Sequence, residues 1–309
     1  MRRSKLALLS ATLALLATAS MAAQGERDRI RVGGNAPAFP ESITSTADGT
    51  LFTSSVGEGR VFKAAPHAKD AKAWSARQGD GPQSVLGVLA DERSGTLWAC
   101  YSDMALTKGD TGKPAILRAL DLASGTVKHS FPMPAGSFCN DIATDAGDTV
   151  YATDTHGGRI LRLRSGSNDI ATWFQDPRLV GVDGIAFGDD GAIYLTNVKT
   201  NALFRLAVAA GGEPGKLTRL KPSAPLQGPD GLRRAGGHFF LAENKSGKVD
   251  ELRIQGDRVD VETVQGGYKG PTSMTAHGDT LYVVEAKINQ FGKVKNPGPF
   301  YVYSTPLPD

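Results

Sequence analysis

A unit of 42 to 56 residues recurs six times along this chain, and a period in that range is the mark of a propeller, a solenoid or an array. Each copy opens on a short segment that runs from polar to apolar. These are Pro40-Glu41-Ser42-Ile43, Gln83-Ser84-Val85-Leu86, Cys139-Asn140-Asp141-Ile142, Val182-Asp183-Gly184-Ile185, Pro229-Asp230-Gly231-Leu232 and Pro271-Thr272-Ser273-Met274. From Glu41 through Ser84, Asn140, Asp183, Asp230 and Thr272 the spacings are 43, 56, 43, 47 and 42.

Behind each start comes a tight-turn dipeptide: Asp48-Gly49, Ser94-Gly95, Gly147-Asp148, Asp190-Gly191, Gly236-Gly237 and Gly278-Asp279. A β-rich run follows every turn, as in Thr50-Leu51-Phe52-Thr53 and Thr149-Val150-Tyr151-Ala152. Third strands read from Arg60-Val61-Phe62-Lys63, Arg159-Ile160-Leu161-Arg162 and Ala202-Leu203-Phe204-Arg205, and fourth strands from Ile170-Ala171-Thr172-Trp173 and Val259-Asp260-Val261-Glu262. Four antiparallel strands per unit predict an all-β, six-bladed β-propeller, whose radial repetition leaves only short sheet edges. The last unit has three convincing strands, while Arg29-Ile30-Arg31-Val32 stands alone near the N-terminus. That strand is expected to complete the sixth blade and close the ring. The Gly- and Pro-rich stretches at 211–215 and 108–114 then read as blade loops.

Residues 1–23 pair a basic start (Arg2, Arg3, Lys5) with an apolar run, Leu6 to Ala19, too short and alanine-rich for a permanent span, and so predict a cleaved signal peptide. The domain reading is therefore a leader over 1–23 and a single propeller over 24–309, exported to the periplasm or secreted. Without the leader, 32 basic side chains face 32 acidic ones. The expected export is the only membrane contact the sequence implies. No basic cluster with interleaved aromatics points to nucleic acid, and no partner protein is indicated. Cys100 and Cys139 allow one disulfide in an exported chain, yet both contexts read as strand interiors, where buried free thiols are common.

In a four-stranded blade the innermost strand starts, and the second ends, on the same face of the disc. First-strand starts thus bring Glu41, Ser84, Asn140, Asp141, Asp183, Asp230 and Thr272 to one mouth of the channel. Second-strand ends bring Ser54, Tyr101, Asp154, His156, Asn197, Glu243, Asn244, Glu285 and Lys287 there. Carboxylates converging on a tunnel repel unless something positive sits among them, and a divalent cation is the economical solution. Oxygen donors without a Cys cluster suit Ca2+ first, with Mg2+, Mn2+ or Zn2+ as alternatives. Asp-Gly and Asn-Asp are also ordinary turn formers. The case for a site is one of register, since Glu41, Asn140, Asp183 and Asp230 hold the same place in four repeats.

With these motifs the chain resembles the calcium-dependent six-bladed propellers of the SMP-30/gluconolactonase/luciferin-regenerating-enzyme group over nearly all of its length after the leader. The most specific match is Pro229-Asp230-Gly231, followed by Asn140-Asp141 and the blade 1 glutamate, Glu41. The resemblance implies a metal-dependent lactonase or esterase. It makes Glu41, Asp183 and Asp230 metal ligands, Asn140 a ligand or substrate contact, and Asp230 also the general base. The chain departs from the group in reading Glu41-Ser42-Ile43 in blade 1 where the group has Glu-Gly-Pro and an aromatic. Asp183 replaces an Asn, and Phe138 stands where a sugar lactonase has Arg. Phe cannot orient a polyhydroxylated substrate as a bidentate Arg does, so a more apolar ester or lactone is expected.

Asp230 is the first candidate base and His156 the alternative, an imidazole being matched to proton transfer near neutrality. Asn140, Asp141, Phe138, Asn197 and Glu243 are the candidate substrate contacts, and Glu285 with Lys287 either lines the pocket or forms a surface ion pair. No Gly-x-Ser-x-Gly elbow supports a serine hydrolase, and a quinoprotein reading lacks a cofactor box. The rival from another class is a non-catalytic binding propeller in which the ion only pins the blades.

Overall fold

A computed structural model describes residues 28–34, 36–77, 84–104 and 112–308; the expected leader lies outside them. The inner strands are Ile43–Ser45, Ser84–Asp91, Cys139–Thr144, Val182–Phe187, Pro229–Ala235 and Pro271–His277. From each of them three further strands pair outward in antiparallel order, as in Val150–Asp154, Arg159–Leu163 and Ile170–Gln175 of blade 3. Every inner strand packs on the next, and Pro271–His277 packs on Ile43–Ser45, so the ring of six blades closes. Among the described residues no helix is long and apolar enough to cross a membrane.

The first hairpin of every blade repeats one register. The third residue of each β-rich run is aromatic (Phe52, Trp98, Tyr151, Tyr194, Phe240, Tyr282) and faces Thr44, Leu89, Ala143, Ala186, Arg233 and Thr275 respectively on the inner strand. The turns between these strands need positive φ, which Gly49 supplies at 83° and, in blade 3, Asp148 at 61°. The core is divided into wedges between blades. One packs Tyr151, Trp173, Ile185 and Leu195 between blades 3 and 4, and another Tyr194, Leu232, Phe239 and Leu241 between blades 4 and 5.

Closure follows the expected route. Arg29–Val32 pairs antiparallel with Phe300–Pro306 as the outer strand of blade 6, with Arg29 opposite Tyr303 and Val32 opposite Phe300. It also bridges in parallel to blade 1 through Arg31 with Asp70 and Val32 with Ala71, which merges the two blades into one eight-stranded sheet. At the axis the seam is sealed by Ser45 Oγ, 3.0 Å from Thr275 Oγ1 and 3.0 Å from the Ala276 carbonyl oxygen.

Two sequence readings are corrected. In blade 2 a bulge between Val85 and Val88 shifts the repeat by two residues, so Leu86, not Ser84, occupies the place of Glu41 and Asn140. Ser84 instead donates its hydroxyl to the Val56 carbonyl at 3.0 Å. Cys100 and Cys139, whose contexts suggested buried thiols, are joined as a disulfide with Cα atoms 5.2 Å apart. Both do lie in strands, but in facing strands of neighbouring blades, which the local sequence around each does not reveal.

This bridge closes a span of 39 residues, so replacing both cysteines by serine should cost about 2–4 kcal/mol in urea unfolding. Unchanged stability would show that the blade 2/3 seam does not need it. Deleting residues 24–34 should lower the melting temperature by calorimetry, because it leaves Phe300–Pro306 an unpaired edge and opens the ring.

Candidate functional site

The site is built on β-bulges. The first strands of blades 3, 4 and 5 each break register at their start, between Cys139 and Ile142, Val182 and Ile185, and Pro229 and Leu232. A bulge leaves backbone groups without ladder partners and re-aims the side chain it carries. Threonines of the neighbouring second strands supply the missing partners. Thr153 Oγ1 accepts from Asp141 N at 2.9 Å and donates to the Asp183 carbonyl at 2.7 Å. Thr196 Oγ1 accepts from Gly184 N at 2.7 Å and donates to the Asp230 carbonyl at 2.6 Å. From the inner strand of blade 6, Thr272 Oγ1 likewise donates to the Glu41 carbonyl at 2.5 Å across the seam. Each acid-bearing segment is thereby held by an adjacent blade.

The inner strands also approach closely. A Cβ on Gly184 would lie 2.6 Å from the Asp230 carbonyl oxygen and 2.5 Å from Leu232 N, so only glycine lets blades 4 and 5 meet there.

Glu41, Asp183 and Asp230 converge, one carboxylate oxygen from each lying within 4.8 Å of the others. They are 9%, 7% and 7% exposed, and Glu41 Oε2 and Asp230 Oδ1 are buried without a hydrogen-bond partner. Asn140 joins them, its amide nitrogen 3.0 Å from Asp183 Oδ2 and 3.0 Å from Thr155 Oγ1. Burial first, then the charge of Asp141, lifts the Asp183 carboxyl to about 7. Burial followed by the neighbouring acids pushes Glu41 and Asp230 well above the carboxylate range. Two unit charges of one sign at 4 Å repel by about 4 kcal/mol at an effective dielectric of about 20, so three bare carboxylates cannot all ionise here.

Asp141 stands apart from this trio. Both of its oxygens accept from Arg233, at 2.6 and 2.9 Å, and Oδ2 also accepts from Ile185 N at 3.2 Å. Sequence reasoning missed Arg233. The only signal available was its place opposite the blade 5 aromatic, where Ala143 and Ala186 stand in blades 3 and 4.

The residues at second-strand ends are engaged elsewhere. Asp154 accepts from Phe138 N at 2.8 Å and pairs with Arg159 at 2.6 Å. Asn197 Oδ1 accepts from Lys199 N and Thr200 N, and its amide nitrogen donates to the Arg178 and Val180 carbonyls. Glu243 accepts from Gln227 N and pairs with Lys248 at 3.2 Å. Glu285 accepts from Lys269 N at 2.8 Å, while Lys287 Nζ donates to the Pro299 carbonyl at 2.8 Å. Asn197 and Glu243, expected to touch substrate, instead bind the loop that precedes their blade and the turn or strand that follows them. His156 is exposed and lies against the Phe138 ring, centroids 4.8 Å apart, outside the acid trio. A groove of about 710 Å³ lies on the opposite face between blades 4 and 5, lined in part by Asp189, Asp190, Arg205, Arg234 and His238.

No family model and no curated protein matches the chain at the level of sequence. Solved structures do resemble it over most of its length. A gluconolactonase from Xanthomonas campestris is 14% identical, covering 90% of this chain and 88% of its own, with a TM-score of 0.63. Luciferin-regenerating enzyme is 14% identical over 87% of this chain and 91% of its own, at 0.63. Virginiamycin B lyase from Staphylococcus aureus, solved with quinupristin, is 14% identical over 90% of this chain and 98% of its own, at 0.59. A lactonase, a regenerating enzyme and a lyase thus share this chain's propeller fold, and what the chain does has to be argued from its own site.

Proposed function

We propose that this chain is an exported hydrolase that opens a lactone or cleaves an ester at the acidic end of its channel, with a divalent cation held by Glu41, Asp183 and Asp230 and joined by Asn140. The observation that carries the reading is the convergence of three buried carboxylates from three blades with two unpartnered oxygens. An acidic cluster alone is common on protein surfaces. Buried oxygens left without donors inside a strand framework that fixes them are not, and their cost is removed by a cation. The donor set is all oxygen plus one amide, which fits Ca2+. Such an ion, when bound, polarises a carbonyl and offsets negative charge developing on its oxygen.

The chain's own residues supply the rest. Asp230 Oδ1 has no hydrogen-bond donor occupying it, which supports it as the acceptor of a proton from the attacking water once a bound ion keeps the carboxyl ionised. Asp183 contacts Asp230 and keeps its carboxyl oriented. Asn140 ties Asp183 to Thr155, and Phe138, half-buried just before Asn140, offers an apolar face to the acyl or alcohol part of the substrate. The fold-level likeness to gluconolactonase and luciferin-regenerating enzyme supports a lactonase-type reaction. A binding propeller with a purely structural ion is the second reading, favoured by the near-complete burial of the acids.

Turnover separates the two. The leaderless protein screened against aryl esters and lactones should hydrolyse at least one in Ca2+ and lose activity in EDTA, and Asp230→Asn should lower kcat/KM by about 100-fold or more. Ca2+ at about 100 times its Kd should stabilise the fold by roughly 2.7 kcal/mol. Stabilisation without any turnover would favour the binding propeller, and no stabilisation would remove the ion.

The pH dependence of the ion-free chain is a further check. The folded Asp183 keeps its proton up to about 7, whereas an unfolded Asp releases it near 4. Stability from this group is complete below the unfolded value and lost as pH rises through the folded one. In EDTA the melting temperature should therefore fall between about pH 4 and 7, and Asp183→Asn should make that fall smaller, leaving what Glu41 and Asp230 contribute.

A further inference from the structure

We propose that Arg233 is a positioning residue: its guanidinium spans the channel to hold Asp141 out of the ion's ligand set, so that the proposed ion meets three carboxylates and not four. The inference rests on the metal reading above. It starts from an asymmetry among acids that the fold places together. Glu41, Asp141, Asp183 and Asp230 all lie at one end of the channel and are all at least nine-tenths buried, yet only three share a common point. Asp141 sits directly beside Asn140 in the blade 3 bulge, and the difference lies in what it touches.

Arg233 comes from the inner strand of blade 5, three residues after Asp230. Its Nη1 and Nη2 grip the two Asp141 oxygens of blade 3, Nη2 also donates to Ser42 Oγ of blade 1 at 3.2 Å, and Nη1 returns to the Leu232 carbonyl at 2.9 Å. One side chain thus ties three blades across the axis. Of its five counterparts in the register, Thr44, Ala143, Ala186 and Thr275 are small and only Leu89 of blade 2 is large. A planar fork suits this role, because it meets both carboxylate oxygens and still has a donor for Ser42, which a lysine could not do.

Two consequences follow. Asp141, with both oxygens occupied, is not available as a ligand. The guanidinium, neutralised by Asp141, is also kept from Glu41 and Asp183, the other acids whose charges it feels. Freeing either partner therefore alters ion binding in opposite directions.

The test is calorimetric titration of EDTA-stripped protein with CaCl2, on the parent chain, Asp141→Asn, Arg233→Met and the double variant, with melting curves in EDTA. The parent should bind one ion. Asp141→Asn should bind at least about tenfold more weakly, because the released cation competes for the trio, and Arg233→Met should take up more, as tighter binding or a second ion. The double variant, which removes both charges of the pair at once, should return to one ion within about threefold of the parent's affinity and melt in EDTA above both single variants. If Arg233→Met does not fold, the double variant carries the test alone. A double variant as weak as Asp141→Asn would make Asp141 a ligand and overturn the proposal, as would unaltered uptake by Arg233→Met. A parent that binds no ion would instead sink the metal reading, and this inference with it.

Discussion

Four carboxylates are buried at one end of the channel against a single guanidinium, and this imbalance of charge is the constraint that the rest of the molecule has to meet. Asp141 is neutralised by Arg233; Glu41, Asp183 and Asp230 are not, and burial drives protons onto them. A fold could have avoided the problem with Thr or Leu at these places, as blades 6 and 2 do with Thr272 and Leu86. Retaining three acids where they destabilise the ion-free chain is the kind of cost met at working sites and seldom in packing cores.

Holding such groups together demands stiffness. The ring closes through an N-terminal strand hydrogen-bonded to the C-terminal one, so the blades cannot relax apart as a linear array would. Within the ring, Thr153 and Thr196 each carry a bulge carbonyl of the adjoining blade, Thr272 carries the Glu41 carbonyl just ahead of the blade 1 inner strand, and the disulfide pins blade 2 to the residue before Asn140. The same bulges that break the ladder thus aim the acids, and neighbouring blades repair the broken hydrogen bonds. Asp183 and Asp230 sit on strands and Glu41 two residues ahead of one, which suits a site that must keep charges close.

The repeats were legible because turn dipeptides, aromatic runs and inner-strand starts recur locally, and the closing strand because one blade lacked a member while one strand lacked a blade. Glu41, Asn140, Asp183 and Asp230 stood out as polar residues at one register. Blade 2 was misaligned for the reverse reason: its bulge carries Leu86-Gly87, with no polar residue to mark it, and Ser84 offered a false one. Asn197 and Glu243 looked like pocket residues by position, but each ends a second strand fully buried and accepts from backbone N–H groups of the adjoining turn or loop.

The sequence by itself determined the sixfold β architecture, the manner of its closure and the acids at its axis, since these depend on periodicity and on residue type at a repeated place. Only the tertiary structure decided which acids meet, that Asp141 is taken by Arg233 from 92 residues away, and that Cys100 faces Cys139. The physical reason is that such pairings join side chains of different blades across the axis or a seam. Their distances depend on how the whole ring closes and on no local stretch of chain.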